Sequence, residues 1–87
     1  MNHKQFESWV SDKVASIGLL SIESNSKSSK PFTMGCYFDE ATKKYKVYSN
    51  DEHSTHTVYL ETDNEDEAYT ELQSMVVFEQ RNNKGYI

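Results

Sequence analysis

Residues 32–61 read FTMGCYFDEATKKYKVYSNDEHSTHTVYLE, and this stretch decides the fold. It holds three runs with a two-residue period. Phe32, Met34, Cys36 and Phe38 alternate with Thr33, Gly35 and Tyr37. Tyr45, Val47 and Ser49 alternate with Lys44, Lys46 and Tyr48, and His56, Val58 and Leu60 alternate with Thr57, Tyr59 and Glu61. Successive strand side chains point to opposite faces, so each run predicts a strand with one core side. The polar connections at 39–43 and 49–54 are too short for a crossover, so they join antiparallel neighbours into a meander. With this parity Phe32, Met34, Cys36, Phe38, Tyr45, Val47, Val58 and Leu60 form the core face. Tyr37, Tyr48 and Tyr59 share the outward face with Lys44, Lys46, Thr57 and Glu61.

Helical patterns flank the strands. Phe6, Trp9, Val10, Val14 and Ile17 form one apolar stripe, predicting an amphipathic helix over 3–17 with Gly18 as its C-cap. Leu19, Leu20 and Ile22 read as an apolar lead-out beneath it. Residues 23–31, ESNSKSSKP, carry no apolar anchor and read as a flexible loop. Asn64 with Glu67 three residues on is a capping-box pattern, predicting a second helix over 65–81 with Ala68, Leu72, Met75, Val76 and Glu79 on one face and Tyr69 beside it. Asn82 to Gly85 end it, and Tyr86-Ile87 follow. Val77-Phe78 sits off that stripe, which a widened apolar face or a short partner-binding patch would explain. The expected architecture is a single α+β domain over 1–87. It is a two-layer α-β-β-β-α arrangement with helices packed on one face of a three-stranded antiparallel meander.

Composition narrows the function. The 87 residues carry 9 Lys+Arg against 14 Asp+Glu, a net charge of −5, which weighs against a general nucleic-acid binder. The longest apolar run is Met75 to Phe78, far short of a membrane span, and the polar N-terminus shows no secretory signal. A lone Cys36 allows no internal disulfide and fits a reducing, cytoplasmic setting. Residues 51–71 hold eight acids and no Lys or Arg. Such a block is either a solvated helix start or a surface that steers a basic partner.

Catalytic signals are thin. His53-Ser54-Thr55-His56 has ligand-type spacing, but His53 falls in a turn and His56 on a strand, so the rings need not converge on a metal. Cys36 has core parity and no visible activating base. Acid pairs such as Glu61/Asp63 or Glu67/Glu71 need a pocket that separates their pKa values. No phosphate-binding, dinucleotide or nucleophile-elbow motif is present. The expectation is a non-enzymatic chain without cofactor or metal. The Tyr face with Lys44 and Lys46 allows a single-stranded RNA platform as an alternative, although the acidic block opposes phosphates.

The stretch from Gly35 to Leu72 resembles the small immunity proteins that bacteria encode beside polymorphic or contact-dependent toxins. The similar parts are the G-C-Y strand, the K-Y-K-V-Y strand and the D-N-E-D-E-A-Y entry into a helix. The resemblance implies a cytoplasmic inhibitor that covers the basic cleft of one toxin domain, often a nuclease. Separately, the two open edges of a three-stranded meander allow a monomer or a weak dimer. Phage-encoded inhibitors of bacterial defence nucleases, acting as nucleic-acid mimics, share the same size and acidity. Either way the expected contacts are Asp51, Glu52, Glu61, Asp63, Glu65, Asp66 and Glu71, with Tyr48 and Tyr59 as aromatic anchors, and no membrane or nucleic acid as partner.

Overall fold

A computed structural model describes residues 1–12 and 21–82, with side chains described up to Glu79. Val14, Ile17, Gly18, Leu19 and Leu20, and the segment from Asn83 to Ile87, lie outside the described residues. The described elements are α1 (His3–Ser11), β1 (Ser21–Glu23), β2 (Thr33–Asp39), β3 (Lys44–Asn50), β4 (His56–Thr62) and α2 (Glu65–Asn82). The fold is α+β, with helices packed against one face of a sheet.

The three predicted strands pair antiparallel, Cys36 opposite Val47 and Val47 opposite Leu60. The sheet has a fourth strand, formed by the segment expected to be an apolar lead-out. β1 lies parallel to β2, Ile22 beside Met34, giving the order β1-β2-β3-β4. Parallel neighbours force the chain to return over one face of the sheet. The helices fill one face, so the Ser-rich segment 24–32 crosses the other, and it forms a strap over one end of the sheet.

α1 starts at Asn2, whose side chain accepts from Gln5 N–H while Gln5 returns a bond to Asn2 N–H. Its C-cap is Asp12, short of the predicted end at 17. α2 starts as predicted, with Asn64 Oδ1 accepting from Glu67 N–H at 3.1 Å. The Asn64 N–H is engaged by Thr62 Oγ1. Phe6 and Val10 of α1 and Ala68, Tyr69, Leu72 and Val76 of α2 close over Met34, Cys36 and Val47 to form the core.

Three predicted core residues are largely outside it. Phe32 is 43% exposed, Phe38 37% and Val58 42%. Phe32 lies beyond the end of β2 in a left-handed conformation, φ 52°, held by bonds from its N–H to Asp51 O and from Ser21 N–H to its own carbonyl. Phe38 rests edge-on against Tyr45 near the sheet end. Val58 is turned outward by a β-bulge: Val47 pairs with Leu60 but Tyr48 pairs with Val58, leaving Tyr59 unpaired. Beyond that extra residue every β4 side chain changes face.

Tyr48 carries the opposite correction. It lies on the outward face, yet it is fully buried because the strap covers it. Its Oη donates to the Ser26 carbonyl at 2.7 Å and accepts from Ser28 N–H at 3.0 Å. Asn50 Nδ2 donates to the carbonyls of Ser28 (2.7 Å) and Lys30 (3.0 Å). From the helix layer, Tyr69 Oη donates to the Ser24 carbonyl. Four alternate carbonyls of the strap, at 24, 26, 28 and 30, are thus held by core side chains.

Candidate functional site

The acidic block does not form one patch. β4 spans about 23 Å at ~3.3 Å per residue, and it separates the turn carrying Asp51 and Glu52 from Asp63, Glu65 and Asp66 at the start of α2. Several of these carboxylates have local structural duties. Asp51 Oδ1 accepts from the N–H groups of His53 (2.8 Å) and Thr55 (2.9 Å), which lowers its pKa and shapes the β3–β4 turn. Glu65 accepts from His3 N–H (3.0 Å) and Tyr45 Oη (3.2 Å), tying both helix starts to β3. Glu61 lies 3.6 Å from Lys46, whose stronger partner is Asp39 at 2.8 Å. Glu52 is exposed beside His53, and Asp66 lies 3.4 Å from the N-terminal ammonium. Asp63 and Glu67 are exposed.

The two Tyr anchors separate as well. Buried Tyr48 can touch no partner; burial pushes its hydroxyl pKa up to about 12. Its ring meets Tyr37 at 5.7 Å and stacks on His56 at 4.8 Å. Tyr59, turned by the bulge, stands at the helix side and is 59% exposed. The outward Tyr trio required for a base-stacking platform is therefore not assembled, and Lys46 is already paired.

Tyr59 instead borders a groove of about 320 Å³ between the sheet, from β2 to β4, and residues 71–79 of α2. Met34 and Met75 lie in it, with Phe78, 64% exposed, across from Tyr59. Among the described residues Glu71 and Glu79 supply its charge, and no Lys or Arg lines it. Glu67, Glu71, Met75 and Glu79 follow each other at i, i+4 spacing, so they form one ridge about 18 Å long at ~1.5 Å per residue. The sequence signal for this site was the off-stripe Phe78; the bulge that brings Tyr59 to it had none.

Cys36 is buried, and burial raises its thiol pKa to about 11, so little thiolate forms near neutrality. No group of three or more potential metal ligands converges among the described residues. No described helix is long and apolar enough to cross a membrane.

His56 connects the strap to pH. Both Asn50 Nδ2 protons go to strap carbonyls, so Asn50 Oδ1 faces His56 Nδ1 at 2.8 Å and the imidazole carries its proton there. Burial, with Lys27 and Lys46, lowers the His56 pKa. The unfolded chain then binds more protons below about pH 6.5, so stability is complete above that value and declines as pH falls toward the folded pKa. A second decline follows below about pH 4 as Asp39 and Asp51, both lowered, take up protons. Urea midpoints from pH 7.5 to 3 should show both steps, and His56→Gln should flatten only the first.

No protein-family model matches the chain, and neither a curated protein nor a solved structure matches it.

Proposed function

We propose that this chain is a protein inhibitor that neutralises a basic toxin domain, a nuclease being the best-fitting class, by covering its cleft. A nuclease cleft must hold a polyanion, so it is lined with cations, and an acidic surface on a stiff frame offers complementary charge. The observation that carries this reading is the groove where exposed Tyr59 and Phe78 stand beside Glu71 and Glu79. Exposed aromatic anchors with a polar rim match the anatomy of protein interfaces. The contact surface is accordingly the α2 ridge and β4, with Asp63, Glu67, Glu71, Glu79, Tyr59 and Phe78, and not the Asp51 turn. Immunity to a toxin made by the same cell places the inhibitor in the cytoplasm.

The test is co-expression with a toxin domain encoded beside this chain's gene. A salt-sensitive complex is expected. Reversing Asp63, Glu67 and Glu71 to Lys should weaken it at least tenfold, with about 1 kcal/mol lost from folding through the α2 dipole. Glu52→Lys, at the other end of β4, should change affinity by less than twofold. Full neutralisation by the triple variant would refute the acidic interface. A phage origin for the neighbouring genes would redirect the same surface to a defence nuclease.

A further inference from the structure

Resting on that reading, we propose that β4 and its groove receive an extended segment of the partner by strand addition, and that this segment alternates aliphatic residues with lysine or arginine. The sheet ends at β4, so one side of its backbone is paired to no described strand. Native edges are blunted by shortness, Pro, charged side chains such as Lys, bulges or covering chain. The opposite edge, β1, has three residues, whereas β4 has seven and contains no Pro, Lys or Arg. Its one irregularity, the bulge, turns Tyr59 into the groove.

An added strand would lie about 4.8 Å beyond β4 and send alternate side chains to the helix side. There an aliphatic side chain meets Met75, Tyr59 and Phe78, and a longer cationic one reaches Glu71 or Glu79. Charge selects the occupant. A second copy paired edge to edge would bring two acidic ridges together, in chains of net charge −5 each. A cationic segment gains attraction from the same groups.

The probe is a heptapeptide alternating valine with lysine, titrated into 15N-labelled full-length protein at low salt. Amide shifts should concentrate in residues 56–62 and 71–79, and exchange of β4 amides should slow. N-methylating alternate peptide bonds of the probe should weaken binding at least tenfold, and Glu71→Gln with Glu79→Gln at least threefold. Equal binding of the methylated probe, or shifts centred on Tyr37 and Lys46, would overturn the proposal. So would β4 shifts that grow with protein concentration before peptide is added, which mean a second copy. Binding that appears only after removal of residues 83–87 would make that segment the occupant. If the probe fails while the charge-reversed inhibitor still loses its partner, strand addition alone is wrong; if both fail, the inhibitor reading falls too.

Discussion

Gly35→Ala is expected to lower the unfolding free energy by about 3 kcal/mol, the upper end of the usual overpacking range. A Cβ at this position would collide with the Glu23 carbonyl oxygen and come within 2.8 Å of Tyr48 Oη. The first obstacle is backbone of the neighbouring parallel strand, which moves only if β1 detaches. For a domain of this size the loss corresponds to a melting point lower by roughly 12–24 °C. Tyr48→Phe in the same background removes the hydroxyl but leaves the Glu23 oxygen, so it should not restore stability. Thermal melts of both single variants and the double decide the matter. Full rescue in the double would place the whole constraint on the Tyr48 hydroxyl.

Asn50→Asp should be nearly as damaging near neutrality, with a loss of about 2–3 kcal/mol. Asn50 is 2% exposed and its amide donates to two carbonyls. A carboxylate there has no proton to offer them and turns two attractions into repulsions. The remaining contact, to His56 Nδ1, becomes an ion pair that raises the His56 pKa, the reverse of its lowered native value. Amide exchange at residues 26–30 should accelerate, and the NMR titration of His56 should move to higher pH. Acidification should narrow the gap to wild type, because a protonated carboxyl regains one donor. Unchanged exchange in the strap would refute the clamp.

The sequence made the three long strands and α2 legible, because each repeats a strong local period and Asn64 marks the helix start. β1 left no such trace: Ser21, Ile22 and Glu23 become a strand only through pairing with β2. The bulge was equally silent. One unpaired residue in β4 exchanges the faces of Val58 and Tyr59, as any single-residue slip does in a period-two element. That slip moved one predicted anchor, Tyr59, to the groove, while the strap removed the other, Tyr48, from the surface. The acids were legible as a run in the chain, but seven-residue β4 divides them in space. Their individual duties, such as Glu65 on Tyr45 and His3, depend on partners 20 and 62 residues away.

The strap has a practical consequence. Its grip is on main-chain oxygens of alternate residues, so the intervening Asn25, Lys27 and Ser29 point no required group inward and all three are exposed. A fluorophore or spin label attached at any of them would report the segment lifting from the sheet without touching what fastens it. The same freedom lets mutations accumulate there unnoticed by the fold, since the instructions for its shape are written in Tyr48, Asn50 and Tyr69.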